Sequence, residues 1–268
     1  MDSFFLLEQQ EIKSAYLDRK VIVDLYLPRA VPDPGSLRLL LLNDGQNLEE
    51  MGLELTLDEL HNEGAIPPIL IAGVYAGEAR KMEYGVIAYP DYLGRGALAQ
   101  NHADFVLQEL LPFIQTTYRI QQFAEIVYAG FSLGGLSALD TAWNYPAIFR
   151  KAGVFSGSLW WRSIDQDDRA YDDNQHRIMQ QVIRHSTARA GMKFFFQSGN
   201  MDETNDRNQN GIIDSIDDTL DLIAELEKKG YHRQKDIYYL EMPDGRHDIA
   251  TWGRALKPFL KWAFGNEN

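Results

Sequence analysis

Short apolar runs alternate with longer amphipathic stretches along most of the chain. The short runs are rich in Val, Ile, Leu and Phe and end at turn-forming residues, which is typical of β-strands. In the longer stretches, apolar residues recur at helical spacing, which indicates helices with one buried face. Strands are predicted at residues 21–27, 37–42, 69–75, 126–129, 152–155, 193–197 and 237–240. Helices are predicted at residues 55–62, 102–118, 217–229 and 251–264, with another that follows residue 132 and ends near Pro146.

This alternation predicts an α/β fold. Crossovers that contain a helix join parallel strands, so the central sheet should be mostly parallel with helices on both faces. Residues 37–42 are apolar except for one arginine, the pattern of a strand covered on both faces. Residues 21–27 instead alternate and stop at Pro28, which places that strand near the sheet edge. Pro112 is expected to kink the helix at residues 102–118.

Composition indicates one domain. Of the 268 residues 45% are hydrophobic, enough for one large core, and residues 1–268 are expected to form a single unit. The absence of cysteine excludes disulfides, thiolate metal sites and a cysteine nucleophile, and fits a reducing compartment. A short apolar run near the N-terminus soon reaches Glu8 and has no basic residue before it, so neither a signal peptide nor a spanning helix is expected. A cytoplasmic location is the default expectation.

The charge balance bears on the choice of partner. The 26 Lys and Arg residues against 39 Asp and Glu residues give a formal net charge of -13. This excess of negative charge disfavours nucleic acid and anionic membranes as partners. Part of it is local, because residues 165–173 and 202–218 are both rich in acids. The sequence does not indicate an oligomeric state.

The strongest chemical signal is the segment Gly130-Phe131-Ser132-Leu133-Gly134. It follows a predicted strand and precedes a predicted helix, which is the arrangement of a nucleophile elbow, although a chance glycine-containing turn is the alternative. A serine in such a turn has a strained backbone, and small flanking residues let the strand and the helix approach closely. The helix N-terminus then directs unpaired N–H groups at a developing oxyanion. Ser132 is therefore the candidate nucleophile.

A serine hydroxyl becomes nucleophilic when a histidine accepts its proton and a carboxylate orients that histidine. On this architecture both should follow Ser132 in loops after later strands, with the acid first. His247 lies just after a predicted strand in a turn-type loop and is the candidate base. In the loop after the next-to-last predicted strand, Asp202 is the first candidate acid, Glu203 the second and Asp206 the third. The other histidines are on or beside predicted helices and are interpreted as surface residues: His61, His102, His176, His185 and His232.

Five segments between about Asp18 and Phe264 carry a family resemblance. They are Leu42-Asn43-Asp44-Gly45-Gln46, Gly130-Phe131-Ser132-Leu133-Gly134-Gly135, Ser156-Gly157-Ser158-Leu159-Trp160-Trp161, Gly199-Asn200-Met201-Asp202, and Gly245-Arg246-His247-Asp248 with Trp252. Together they resemble the Putative esterase family of α/β-hydrolases, which includes enterochelin, feruloyl and acetyl-xylan esterases, esterase D and the mycolyltransferases. The third segment is most similar to the siderophore esterases.

The resemblance implies an α/β-hydrolase fold and a serine esterase that needs no organic cofactor. Because the family places its acid three residues after the glycine of the fourth segment, the resemblance favours Asp202. It also implies that the residue after the serine, Leu133, and the residue after Asp-Gly, Gln46, donate the two N–H groups of an oxyanion hole. The expected substrate is a small-molecule or carbohydrate-linked ester.

Substrate-binding residues are less clearly marked in the sequence. Arg80 is a candidate because it begins a segment that resembles the family's Arg-x-x-Glu; the alternative is that Arg80 and Glu83 form a solvated helical pair. Aromatic side chains could line an acyl or sugar pocket, and packing beneath the loops is the equal alternative. The aromatic candidates are Tyr92, Trp160, Trp161 and Trp252.

A second signal follows the candidate acid. Residues 206–217 match the calcium-loop template at positions 1, 3, 5, 6, 9 and 12. The loop has Asp217 where glutamate is usual and lacks a clear incoming helix, so it resembles a dockerin-type loop. The alternative is a turn-rich loop in which Asp217 caps the next helix. The candidate ligands of a structural Ca²⁺ are Asp206, Asn208, Asn210, the Ile212 carbonyl, Asp214 and Asp217.

The sequence therefore predicts a serine esterase. Ser132 is the nucleophile, His247 the general base and then acid, and Asp202 the residue that orients His247. An acyltransferase would differ only in whether water or another alcohol takes the acyl group. A non-catalytic, calcium-dependent binding module is the alternative outside enzymes, and the intact set of three residues argues against it.

Overall fold

A computed structural model describes residues 3–31 and 33–265 of the chain. Within these ranges eight strands form one mixed sheet. They are β1 (Phe5–Ser14), β2 (Arg19–Pro28), β3 (Arg38–Asn43), β4 (Ile69–Val74), β5 (Glu125–Phe131), β6 (Phe149–Phe155), β7 (Lys193–Met201) and β8 (Ile237–Arg246). Each predicted strand is present, and β1 is added to them.

The strands lie in the order β1-β2-β4-β3-β5-β6-β7-β8 across the sheet. Neighbours from β4 to β8 are parallel, whereas β1 pairs antiparallel with β2 and β2 antiparallel with β4. The predicted mostly parallel α/β sheet is confirmed. β2 lies one strand in from the edge because β1 covers its outer side. The sequence pattern does not predict β1, since its centre, from Glu8 to Glu11, is polar.

Helices connect most of the strands. They are α1 (Leu53–Asn62), α2 (Arg80–Glu83), α3 (Ala99–Asp104), α4 (Leu111–Thr117), α5 (Leu133–Asn144), α6 (Asp173–His176), α7 (Ile178–His185), α8 (Asp214–Lys228) and α9 (Ile249–Phe264). The sequence pattern does not predict α2, α6 or α7, because one or two turns are too short to show a clear apolar period. None of the helices in the described ranges is long and apolar enough to cross a membrane.

Two apolar cores lie on opposite faces of the sheet. Successive residues of β3 divide between them, with Leu39 and Leu41 in one core and Leu40 and Leu42 in the other. The first core includes side chains of α5, α7 and α8, and the second includes side chains of α1 and α9. Since side chains alternate between the faces of a strand, β3 is covered on both sides, as its apolar run predicts.

The helix predicted at residues 102–118 is interrupted. A π-helical turn at Phe105–Leu110 separates α3 from α4, and Pro112 lies in the first turn of α4. Proline has no N–H to donate to the carbonyl of Gln108, which favours a wider turn at this point. The irregularity expected from Pro112 therefore takes the form of a π-helical turn.

The carboxyl ends of the parallel strands position the candidate site. Loops at this edge of an α/β sheet form ligand sites because they converge outside the strand ends. The residues directly after β3, β5, β6, β7 and β8 are, in that order, Asp44, Ser132, Ser156, Asp202 and His247.

Candidate active site

Ser132 occupies a sharp turn between β5 and α5. Its φ of 53° and ψ of -122° are unfavourable for a residue with a side chain, and its N–H donates to the Phe155 carbonyl at 2.8 Å. A Cβ atom at Gly130 would lie 2.4 Å from the carbonyl oxygen of Gly134, so this close approach of strand and helix requires glycine. The elbow geometry that the sequence predicts is thus present at Ser132.

A second serine lies beside this hydroxyl. The Oγ atoms of Ser132 and Ser158 are 3.4 Å apart, and the Ser158 N–H donates to the Ser132 carbonyl at 3.1 Å. Ser158 is buried, whereas Ser132 is half-buried and retains access to solvent. Ser158 is not among the predicted site residues, although the segment after β6 reaches the same sheet edge as Ser132.

Asp202 and His247 leave neighbouring strands side by side, because Met201 at the end of β7 pairs with Arg246 at the end of β8. Burial against its neighbours lowers the pKa of His247, and the nearby carboxylate of Asp202 partly offsets this. The guanidinium of Arg80 lowers the pKa of His247 further. His247 is therefore biased towards the neutral form that a general base requires.

The carboxylate of Asp202 has a backbone donor, a hydroxyl and His247 in its environment. Burial raises the pKa of Asp202, while the Gly199 N–H, which donates to Oδ2 at 3.1 Å, the nearby Ser156 hydroxyl and the charge of His247 oppose that shift. Oδ1 is buried and accepts no hydrogen bond from the described residues. Nor do those residues include a hydrogen bond from His247 to either Ser132 or Asp202. Such catalytic bonds often tighten only when substrate binds.

The other two candidate acids have partners other than His247. Burial raises the pKa of Glu203, and nearby Asp214 and Asp218 raise it further; its carboxylate accepts from Asn205 Nδ2 at 3.1 Å. Asp206 accepts from the N–H groups of Asn210 and Gly211 within its own loop. Of the three acids, Asp202 is the one whose charge acts on His247.

Two backbone N–H groups border the same edge. Asp44, with a φ of 62°, turns the chain sharply after β3 and leads to Gln46, and Leu133 begins α5 directly after Ser132. No acceptor in the described part of the chain pairs with the N–H of Gln46 or with that of Leu133. The Gln46 side chain is bound to the segment after β4, since its Oε1 accepts from the Ala76 N–H at 3.1 Å.

Residues 14–263 match the family described as "Putative esterase". The chain belongs to this family. It is therefore a hydrolase that acts on esters. Over 248 residues the chain is 23% identical to the uncharacterized protein YbbA of Bacillus subtilis (strain 168), covering 90% of this chain and 91% of YbbA.

Solved structures of esterases share the fold. The enterobactin esterase FES from Shigella flexneri, crystallised in the presence of enterobactin, has a TM-score of 0.73 at 22% identity, and 96% of this chain spans 58% of the FES chain. A ferulic acid esterase has a TM-score of 0.71 at 17% identity, with 98% and 99% of the two chains covered. The siderophore hydrolase EstB from Aspergillus nidulans has a TM-score of 0.68 at 14% identity over 100% of this chain and 97% of EstB.

In this esterase Arg80 and Glu83 do not form a solvated pair with each other. Arg80 donates to both carboxylate oxygens of Asp44, at 2.6 and 2.8 Å, and Glu83 accepts two hydrogen bonds of 2.7 Å from Arg19. Asp44 and Glu83 are almost fully buried. The two ion pairs therefore anchor the short helix α2 to the turn after β3 and to β2, and the helical-pair alternative is wrong.

The aromatic candidates divide into buried and exposed residues. Trp161 is fully buried, donating from Nε1 to the Tyr89 carbonyl at 3.1 Å, and Trp252 is buried with its ring edge-on to His247. Both therefore pack beneath the loops rather than line an open pocket. Trp160 is half-buried and Tyr92 is 38% exposed, so these two are available to a substrate. The guanidinium groups of Arg95 and Arg162 lie 5.1 and 5.6 Å from the centroid of the Trp160 ring.

The prediction that the five remaining histidines are surface residues is wrong for His102. That side chain is 1% exposed and lies among Asn43, Tyr84 and Tyr128. In a short helix, the pattern of apolar and polar residues does not show whether a histidine is buried or exposed. His185 and His232 are exposed as predicted, and His61 and His176 are half-buried.

The predicted calcium site is not confirmed. The described residues contain no group of three or more His, Cys, Asp or Glu side chains placed to hold a metal ion. Asp214 is buried and accepts from the Arg207 N–H at 2.8 Å, so it is turned away from the other candidate ligands. Helix α8 begins at Asp214, and Asp217 therefore lies within its first turn rather than at its cap. Asp217 instead accepts from Nδ2 of Asn208 and Asn210 at 2.6 and 2.9 Å.

Proposed function

We propose that the chain is a serine esterase in which Ser132 is the nucleophile, His247 the general base and Asp202 the acid that orients it. The observation that carries the proposal is the strained backbone of Ser132, which holds its hydroxyl at the sheet edge where β7 and β8 deliver Asp202 and His247. Strain of this kind persists at sites where the conformation serves the chemistry. The family membership supports an ester as the substrate.

The reaction has two stages. His247 accepts the proton of Ser132 while the serine oxygen bonds to the ester carbonyl carbon, and the negative charge moves to the carbonyl oxygen. The N–H groups of Leu133 and Gln46 would stabilise that oxyanion. The intermediate then expels the alcohol, which takes the proton from His247, and leaves an acyl group on Ser132. Water, deprotonated by His247, repeats the sequence and releases the acid.

The experiment that tests this function combines a substrate panel with covalent mapping. Chromogenic esters from acetate to feruloyl should be hydrolysed, with activity differing among acyl groups, and a fluorophosphonate should add one phosphonyl group to the peptide that contains Ser132. Adding a second alcohol and measuring its ester separates a transferase from a hydrolase. Absence of turnover on the whole panel together with no phosphonyl adduct would refute the proposed function.

A structural Ca²⁺ remains a separate prediction for the loop at residues 206–217. The Asn208 and Asn210 side chains already converge on Asp217, and rotating their amides would present oxygens to a cation there. At free calcium about 100 times the dissociation constant, binding would add about 2.7 kcal/mol to the free energy of unfolding, or about 5 °C in Tm. Magnesium should have little effect, because it requires a small octahedral shell.

Differential scanning fluorimetry with calcium or a chelator measures this shift. The matched variant is Asp206→Asn, which keeps an acceptor for the loop N–H groups but removes a charge, and it should lose most of the response. A Tm that millimolar calcium does not change in metal-free wild-type protein contradicts the site.

A further inference from the structure

A closed set of polar side chains lies beneath the candidate nucleophile and outside the proposed triad. It consists of His102 on α3, Tyr128 on β5 and Asn43 at the end of β3, each at most 1% exposed. Nε2 of His102 lies 3.1 Å from the Tyr128 hydroxyl and 3.3 Å from Asn43 Oδ1. The Tyr128 hydroxyl donates to Asn43 Oδ1 at 2.9 Å, and Asn43 Nδ2 donates to the Gly134 carbonyl at 2.9 Å.

One arrangement of hydrogens satisfies these contacts. The Tyr128 hydroxyl has a single proton, and when it donates to Asn43 Oδ1, Nε2 of His102 bonds to either oxygen only by carrying its own proton. The other tautomer would bury an Nδ1–H that has no partner among the described residues. Two donors then converge on Asn43 Oδ1, which fixes the orientation of the amide. A flipped amide would place its oxygen against the Gly134 carbonyl and its NH₂ against the Nε2–H donor. Burial makes such unmatched pairs costly.

The orientation of Asn43 matters because its bond to Gly134 joins the two segments that border the oxyanion position. Gly134 follows Leu133, and Asn43 opens the turn that leads through Asp44 to Gln46. The segments are in close contact here, since a Cβ atom at Gly134 would lie 2.5 Å from Asp44 Oδ2. A small change in the Asn43 side chain would therefore alter the separation of the Leu133 and Gln46 N–H groups.

The environment of His102 keeps the ring neutral. Burial, with a contribution from the charge of Arg19, lowers the pKa of His102 to about 3. Nδ1 is buried and has no partner among the described residues, so protonating it would place an unpaired N–H in the interior. The ring of His102 also packs edge-on against that of Tyr84, with 4.9 Å between the centroids. The Tyr84 hydroxyl accepts from the Asp44 N–H at 3.4 Å.

We propose that His102, neutral and protonated on Nε2, is a positioning residue that fixes the distance between the Leu133 and Gln46 N–H groups through Asn43. The inference rests on the proposed function, since it concerns the oxyanion hole of the same site. His102 touches neither Ser132 nor the expected position of the substrate. Its effect on catalysis comes from the geometry of donors that act in the transition state, where a misplacement of about 1 Å can cost about 100-fold in rate.

The test compares His102→Leu, which removes the donor, with His102→Gln, whose amide nitrogen can replace Nε2. Rates are expressed per active site, counted by the end point of phosphonate titration, so a loss of folded protein does not contribute. We expect His102→Leu to lower kcat by about 10- to 100-fold with KM within about threefold, and His102→Gln to recover most of that loss. Binding of a trifluoromethyl ketone, whose adduct carries an oxyanion, should weaken in parallel with kcat. Binding of the product alcohol, which carries no oxyanion, should not change.

Nitrogen NMR of the wild-type protein gives a measurement that does not depend on a variant folding. The expected spectrum shows a neutral His102 with the proton on Nε2 throughout pH 5 to 9. A proton on Nδ1, a charged ring in that range, or an unchanged kcat per titrated site in His102→Leu overturns the inference while leaving the esterase intact. Wild-type protein without turnover and without a phosphonyl adduct refutes the proposed function itself, and the role of His102 with it.

Discussion

Ser132→Ala is expected to abolish ester hydrolysis, with kcat lower by about 10⁴- to 10⁶-fold. We expect no other group to replace the Ser132 hydroxyl in the covalent step, because the strained elbow presents it above the strand ends, whereas the neighbouring Ser158 is buried. Any residual rate would come from binding and the oxyanion donors. Steady-state kinetics with a chromogenic ester, supported by mass mapping of the fluorophosphonate adduct, measures the loss.

Ser158→Ala is the matched control. Its hydroxyl lies 3.4 Å from that of Ser132, so it tests whether a nearby serine could act instead. Because Ser158 is buried after β6, its hydroxyl is not presented to a substrate as that of Ser132 is. We expect Ser158→Ala to retain activity within about tenfold and to leave labelling of Ser132 intact. Labelling of Ser158 in the wild type, or near-normal activity in Ser132→Ala, would contradict the assignment.

The fold was accessible from the sequence because its parallel strands are local apolar runs. Each predicted strand is present, and the order of helices and strands indicates the parallel sheet without any long-range information. β1 was not accessible in this way, since its polar centre faces solvent and its stability comes from ten residues of pairing with β2. Pairing of this kind depends on a partner that local pattern does not identify.

The candidate site shows the same limit at the level of side chains. Ser132, Asp202 and His247 could be named because each directly follows a strand and sits in a distinctive segment. The partners of Arg80 and Glu83 could not, because Asp44 and Arg19 are distant in sequence and meet them only through the sheet. His102 is hidden for the same reason: its burial depends on β3 and β5, which α3 contacts only after the chain has folded.

Asp202→Asn is expected to lower kcat by about 10²- to 10⁴-fold, less than the loss of Ser132. The substitution keeps the shape of the side chain but removes the charge that, in the proposed mechanism, orients and stabilises the imidazolium of His247. Glu203→Gln should remain within about tenfold of the wild type, because that carboxylate contacts Asn205 rather than His247. Steady-state kinetics of the two variants on the same ester measures the difference, and the reverse result would make Glu203 the triad acid.

The pH dependence distinguishes orientation from simple electrostatics. The carboxylates of Asp202 and Asp248 both raise the pKa of His247 against the effect of burial, so removing either charge should lower it. Because His247 must be neutral to accept a proton, a lower pKa moves the acid limb of kcat/KM to lower pH in both Asp202→Asn and Asp248→Asn.

Asp248 caps α9 by accepting from the Thr251 N–H at 2.8 Å, a role that asparagine also fills. Asp248→Asn should therefore show the shifted limb with kcat above that limb within about tenfold of the wild type. Asp202→Asn should show the shift together with the large loss of kcat. A limb that does not move in Asp202→Asn would contradict the electrostatic effect of Asp202 on His247.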